Sequence, residues 1–211
     1  MADRVDVSEP FQAPAQQREA AMMGMFVFLG TEIMLFGGIF TAIFVARLLH
    51  TEQVVEASKR MHVFIGGINT AVLLTSSLAV ALAVHSARAR KARRSAALLA
   101  GAALLGLAFL GLKAFEYWEE YRDGLLPIFS DPPRFSTPAE HLFMNLYFLG
   151  TGLHAVHVTI GIVLLTGVAV RLVLNSLRLP DRTVVVEASG LYWHLVDVIW
   201  VFLYPALYLA R

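Results

Sequence analysis

The run HLFMNLYFLGTGLHAVHVTIGIVLLTGVAV, residues 141–170, decides the fold because it contains no Asp, Glu, Lys or Arg. A helix needs about 20 mostly apolar residues to cross the hydrocarbon core of a bilayer. This run exceeds that length, is too long for a barrel strand, and lacks the alternation at period two that such a strand would show. It therefore predicts a transmembrane helix.

Four further apolar runs flank this one, at residues 22–46, 63–84, 96–118 and 188–210. Overall, 57% of the 211 residues are hydrophobic and 16% are charged, whereas a soluble domain is about 45–50% apolar and about one quarter charged. We therefore predict an all-α, polytopic membrane protein. A polar tail at residues 1–21 precedes one domain, residues 22–211, with a bundle of five transmembrane helices.

The basic residues predict the orientation of the bundle. The densest group lies between the second and third spans, at Arg88, Arg90, Lys91, Arg93 and Arg94. By the positive-inside rule this loop is cytoplasmic, which places the N-terminus in the cytoplasm and, after five crossings, the C-terminus outside. The loop is interpreted as a determinant of topology that also meets anionic lipid head groups; a specific partner-binding role is the alternative.

Composition excludes several kinds of chemistry. The chain has no cysteine, which excludes disulfides, iron–sulfur clusters and thiolate-bound metals. Its net charge of +1 gives no reason to expect nucleic acid as a partner. Aromatic residues near the span ends are typical of the membrane–water interface; these are Tyr117, Trp118, Tyr121, Tyr192, Trp193, Tyr204 and Tyr208.

Polar residues inside the spans are the candidate site. A charge near the bilayer centre costs about 2.5–3.5 kcal/mol on insertion scales, so it usually faces the bundle and has a partner. Glu32 lies near the middle of the first span and is either a proton-accepting carboxylate or an acid that pins two helices together. Polar residues of the other spans are predicted to form an interhelical network, made of Asn69, Glu116, His154, His157, His194 and Asp197.

The same residues are candidates for a metal site, because histidine and carboxylate side chains suit zinc, iron or manganese. Di-iron sites in helix bundles use Glu-x-x-His pairs from two helices, and that pattern does not occur in this sequence. We therefore expect a hydrogen-bonded network and no metal site in this chain.

Five segments resemble, in the same order, subunit III of the haem–copper respiratory oxidases. They are FLGTEIMLFGGIF (28–40), INTAVLLTSS (68–77), KAFEYWEEY (113–121), LGTGLHAVHVTIG (149–161) and LYWHLVDVIWVFLY (191–204). The resemblance covers about residues 22–205. It implies that Glu32 matches the family's buried, carbodiimide-reactive carboxylate and that His154, His157, His194 and Asp197 match its polar residues on the last two helices.

The resemblance also implies a role. Subunit III of these cytochrome c and quinol oxidases is a non-catalytic accessory subunit of the bacterial cytoplasmic membrane or its equivalent, packed against subunit I and accompanied by subunit II. Subunit I reduces oxygen and pumps protons, and haem and copper belong to the partner subunits. Subunit III supports proton uptake and protects the catalytic subunit during turnover.

Full-length members have seven helices, and this sequence resembles the five-helix bacterial form. The two additional helices form one wall of a cleft that holds phospholipid, so a lipid site here requires another subunit. Two alternatives remain open. One is an accessory protein of a nitric oxide reductase, and the other is a stand-alone, metal-dependent membrane enzyme that uses the His/Asp/Glu residues.

Overall fold

The computed structural model describes residues 13–59, 63–122, 137–177, 179 and 182–209. These residues form six helices, namely α1 (Pro14–Leu49), α2 (Thr51–Lys59), α3 (Val63–Arg88), α4 (Ala92–Arg122), α5 (Pro138–Val173) and α6 (Thr183–Tyr208). All except α2 are long and apolar enough to cross a membrane, which confirms the predicted all-α bundle with five spans. Most of the predicted polar tail, residues 1–12, lies outside the described residues.

The helices extend beyond the apolar runs because hydropathy marks the membrane-embedded part of a helix and not its ends. Helix α1 begins at Pro14, where proline is favoured because the first helical N–H needs no partner. Helix α5 begins at Pro138, and the side chain of its N-cap, Thr137, accepts a hydrogen bond from the backbone N–H of Glu140 at 3.3 Å. Both prolines therefore mark helix starts.

The short helix α2 was not predicted, because its nine residues include no long apolar run. It packs across the end of the bundle where α6 terminates. The Ser58 hydroxyl lies 3.0 Å from the carbonyl oxygen of Leu207 and 3.3 Å from that of Tyr208. Carbonyls in the last turn of a helix lack intrahelical partners, so α2 supplies a donor that α6 needs.

Helix α6 is held to α3 by its two tryptophans. The indole Nε1 of Trp193 donates to the Ser76 hydroxyl at 2.8 Å, and that of Trp200 donates to the Thr70 hydroxyl at 3.1 Å. Residue numbers rise along α6 as they fall along α3, so the two helices are antiparallel. A buried indole N–H usually finds such a partner.

Trp193 fills a slot that two glycines leave open. Its side chain is fully buried. A Cβ atom added to Gly106 of α4 would lie 2.7 Å from the indole ring, and one added to Gly161 of α5 would lie 2.6 Å from it. Small residues of this kind permit close packing of helices in membranes, and here they bring α4, α5 and α6 together around one side chain.

An ionic contact aligns three helix ends. Glu187, near the start of α6, accepts hydrogen bonds from Arg18 of α1 and from Arg88 of α3, each at 2.8 Å. The start of α1, the end of α3 and the start of α6 therefore lie at the same end of the bundle, and α6 ends at the opposite one. Which end faces the cytoplasm remains a prediction.

Candidate functional site

Glu32 and His157 form a direct contact between α1 and α5. The Oε2 atom of Glu32 lies 2.8 Å from Nε2 of His157. Their side chains are 14% and 11% exposed, respectively, so the pair lies at the edge of the bundle interior. Each residue occupies the middle of its helix, far from both helix ends.

The second ring nitrogen of His157 fixes the number of protons in this contact. Its Nδ1 atom lies 2.8 Å from the backbone carbonyl oxygen of Leu153. A carbonyl oxygen only accepts hydrogen bonds, so Nδ1 carries a proton. The contact between Nε2 and Glu32 then contains one further proton, which belongs either to an imidazolium facing a carboxylate or to a carboxylic acid facing a neutral imidazole.

Helix α6 and an aromatic ring of α1 complete the surroundings of the pair. The Tyr192 hydroxyl donates to the backbone carbonyl of His157 at 3.1 Å. The Phe36 ring contacts the imidazole edge-on, with 5.2 Å between the ring centroids. Apolar walls of this kind keep water away and strengthen a short contact between charged or polar groups.

His154 lies in a different environment although it is only three residues from His157. Its imidazole stacks on Trp200 of α6, with 5.2 Å between centroids, and meets Phe109 of α4 edge-on at 5.6 Å. The residue is fully buried, and neither ring nitrogen has a hydrogen-bond partner among the described residues. The structure therefore brings His157, but not His154, into contact with Glu32.

The remaining predicted polar residues of α3 and α6 also lie apart from Glu32. The Ser77 hydroxyl lies 2.6 Å from Nδ1 of His194. Asp197 is buried, and neither of its carboxylate oxygens has a hydrogen-bond partner among the described residues. Asn69 is buried, and in the described part of the chain its amide has no hydrogen-bond partner.

Glu116 belongs to a separate group that we call the lysine cluster, which consists of Lys113, Glu116, Glu120, Tyr147 and Tyr208. The Lys113 Nζ atom lies 2.9 Å from Glu116 Oε2, 2.7 Å from the Tyr208 hydroxyl and 3.3 Å from the Tyr147 hydroxyl. An ammonium group has three protons, so these contacts use all of them. The cluster joins α4, α5 and α6 close to the end of α6.

Sequence reasoning missed four of the five members of the lysine cluster and recognised only Glu116. The sequence predicts that Tyr208 and Trp193 lie at the membrane–water interface. Both are fully buried, so the interface interpretation is wrong for them, whereas Trp118 and Tyr121 are 60% and 55% exposed. The overlooked signal is the spacing Lys113, Glu116, Glu120, which places three charges on one face of α4.

Glu32 and the residues of the predicted interhelical network therefore lie in separate groups. Glu32 pairs with His157, His194 pairs with Ser77, and Glu116 pairs with Lys113. Within the described ranges, no three His, Asp or Glu side chains are arranged to hold a metal ion.

Comparison with known proteins identifies the family. The family described as "Cytochrome c oxidase subunit III" matches residues 13–210. The quinol oxidase subunit 3 of Bacillus subtilis (strain 168) is 30% identical over 208 residues, which cover 99% of this chain and 96% of the relative. Cytochrome c oxidase subunit 3 of Danio rerio is 33% identical over 191 residues, covering 88% of this chain and 67% of the relative. The corresponding protein of Arabidopsis thaliana is 31% identical, covering 88% and 66%.

These matches confirm the resemblance that the five sequence segments indicate, and they extend it over nearly the whole chain. The chain therefore belongs to the cytochrome c oxidase subunit III family and is a membrane-spanning subunit III of a haem–copper oxidase.

Proposed function

We propose that this chain is the accessory subunit of a terminal oxidase in a bacterial cytoplasmic membrane, where it packs against subunit I, stabilises it and supports its uptake of protons. Haem, copper and oxygen reduction belong to the partner subunits. The quinol oxidase subunit of Bacillus subtilis, which this chain covers almost from end to end, supports a bacterial membrane location.

The contact between Glu32 and His157 carries the proposal for proton uptake. With one proton between its two groups the pair has no net charge, either as imidazolium and carboxylate or as imidazole and acid. The protonated pair therefore sits at mid-membrane depth without an isolated buried charge, which would be costly there, and release of its proton leaves a carboxylate charge that favours uptake of the next proton. Both side chains keep a small exposed fraction, through which a proton can reach them from an adjoining subunit.

The structural alternative for the same contact is that it only holds α1 against α5. Substitution of Glu32 by glutamine separates the two roles, because the amide retains the shape and hydrogen-bonding capacity of the acid but does not exchange a proton. If the role is in proton uptake, helix packing survives and proton exchange is lost.

The experiment is to purify the oxidase complex with Glu32→Gln in this subunit. We expect unchanged haem absorption and normal retention of the subunit, but faster inactivation during sustained turnover and slower proton uptake. Glu52→Gln, at an exposed acid of α2, is the matched control and should behave like the unmodified protein. Loss of the haem signals would mean that Glu32 is needed for assembly and would favour the structural role, whereas an unchanged turnover lifetime with unchanged proton uptake would contradict a role in proton uptake.

The large subunit that co-purifies with the chain tests the oxidase assignment itself. A partner with the haem and copper absorption of a terminal oxidase supports it. A nitric oxide reductase as the partner would contradict it, as would a chain that is isolated alone with stoichiometric metal.

The proposed orientation places the N-terminus in the cytoplasm. It is supported by the exposed basic residues Arg90, Lys91, Arg93 and Arg94, which lie at the end of the bundle where Glu187 meets Arg88. Because the chain has no cysteine, Arg90→Cys and Leu209→Cys would each give a single thiol in this subunit. A membrane-impermeant thiol reagent should label intact cells only at position 209, and the reverse pattern would invert the topology.

A further inference from the structure

Four oxygen atoms of the lysine cluster lie in a line that runs from one carboxylate to another. Glu116 Oε1 lies 2.6 Å from the Tyr208 hydroxyl, which lies 3.1 Å from the Tyr147 hydroxyl, which in turn lies 2.8 Å from Glu120 Oε1. The four side chains are buried. The line therefore contains three oxygen–oxygen contacts of hydrogen-bond length.

Each of these contacts is a hydrogen bond only if one proton lies between its two oxygens. The two tyrosine hydroxyls supply two protons. The ammonium group of Lys113 adds no proton to these three contacts, because its own three protons are donated to Glu116 Oε2 and to the two hydroxyl oxygens. With both glutamates ionised, one of the three contacts would have no proton.

We propose that the lysine cluster is a proton-binding site that holds one additional proton, carried by Glu120. In this arrangement the Glu120 acid donates to Tyr147, Tyr147 donates to Tyr208, and Tyr208 donates to Glu116. All three contacts are then hydrogen bonds, and each hydroxyl oxygen still has a lone pair for the ammonium group of Lys113.

The partners of the two glutamates decide which of them carries the proton. The ammonium group of Lys113 directly contacts Glu116, which favours the ionised form of that carboxylate. The second oxygen of Glu120, Oε2, is buried and has no hydrogen-bond partner among the described residues. A charged oxygen without a partner in an apolar interior costs far more than the carbonyl oxygen of a neutral acid in the same place.

The charge balance of the cluster gives independent support. One ammonium group and two carboxylates would leave a net charge of −1 within helices that cross the membrane, whereas one additional proton makes the cluster neutral.

The line of hydroxyls also gives that proton a path. Transfer of one proton across each of the three contacts moves the acid from Glu120 to Glu116, and each tyrosine loses one proton and gains another.

The inference rests on contacts within this chain and not on the proposed role in proton uptake. Vibrational spectroscopy of the intact complex tests it, since a protonated carboxyl group has a carbonyl stretch that an ionised carboxylate lacks. We expect Glu120→Gln to remove one such band, and the matched Glu119→Gln to remove none. A Glu120→Gln spectrum that keeps every carboxylic acid band would overturn the proposal, as would loss of the band only on Glu116→Gln.

A second variant keeps the test decisive if Glu120→Gln does not assemble. Tyr147→Phe leaves the acid in place but removes the hydroxyl to which it donates. The carbonyl band should then persist and shift to higher frequency, because its O–H group has lost its acceptor. An unshifted band, or no band at all, would show that Glu120 does not donate a proton to Tyr147.

Discussion

The slot around Trp193 gives a quantitative test of the packing. In the Gly161→Ala variant the new Cβ would lie 2.6 Å and 2.8 Å from two carbon atoms of the indole ring. The ring cannot withdraw, because its N–H is bonded to Ser76 and another part of it abuts Gly106. The backbone of α5 must therefore move, and overpacking of this kind costs about 1–3 kcal/mol.

Gly167→Ala is the matched control on the same helix. No described heavy atom lies within 4 Å of an ideal Cβ at that position, so the only effect expected there is the higher helix propensity of alanine, worth about 0.8–1.0 kcal/mol. Gly161→Ala brings the same propensity gain, so the free energies of unfolding of the two variants should differ by the overpacking cost alone, about 1–3 kcal/mol. At about 2–4 °C per kcal/mol for a chain of this size, their Tm values should lie about 2–12 °C apart.

The assay is thermal unfolding of the subunit in the purified complex, followed by tryptophan fluorescence and by retention of the subunit. Gly161→Ala should unfold at lower temperature than the unmodified protein, and Gly167→Ala at the same or a higher temperature. Adding Trp193→Phe to Gly161→Ala should recover part of the loss, because the smaller ring vacates the space. Equal Tm values for the two glycine variants would refute the placement of Trp193 between α4 and α5.

Three further substitutions test particular contacts. Ser58→Ala should lower the free energy of unfolding by about 1 kcal/mol, because the last carbonyls of α6 lose the hydrogen bond that Ser58 of α2 donates to them. It should also accelerate amide hydrogen exchange in α2. Thr137→Ala should cost about 0.5–2 kcal/mol through loss of the N-cap, with faster exchange confined to the first turn of α5. Glu116→Gln should cost at most about 3–5 kcal/mol of stability, because it removes the carboxylate in contact with Lys113 while Glu120 can still ionise and balance the charge. The Lys113→Met/Glu116→Gln double variant should recover most of the loss. Denaturant unfolding of the complex checks both, and failure to recover would contradict the pairing.

The spans were predictable because the membrane imposes a strong and local requirement on sequence. An apolar run of about 20 residues has few alternatives to a transmembrane helix, and all five runs are helical. The short helix α2 and the helix ends were not predictable in the same way. They depend on individual contacts such as that of Ser58 with the last carbonyls of α6, which leave no trace in hydropathy.

Spacing within a helix predicted which residues share a face but not which partners they meet. His154 and His157 are three residues apart and therefore differ by about 60° around the axis of α5. That angle suffices to direct one ring towards Glu32 on α1 and the other towards Trp200 on α6. The sequence does not show which helices pack against each face of α5, so the two histidines could not be assigned to different environments.

The two polar clusters follow one electrostatic requirement although they share no residue. With neutral imidazole and ionised carboxylates, the net charge is −1 in each cluster: one cluster is Glu32 with His157, and the other is Lys113 with Glu116 and Glu120. One added proton makes each cluster neutral. The buried interior of a membrane bundle penalises net charge, which favours the protonated, neutral form of each cluster. For this reason Glu120→Gln, at the acid that carries the proton, should cost little stability. Glu116→Gln should cost more, because it removes the carboxylate that directly contacts the ammonium group of Lys113.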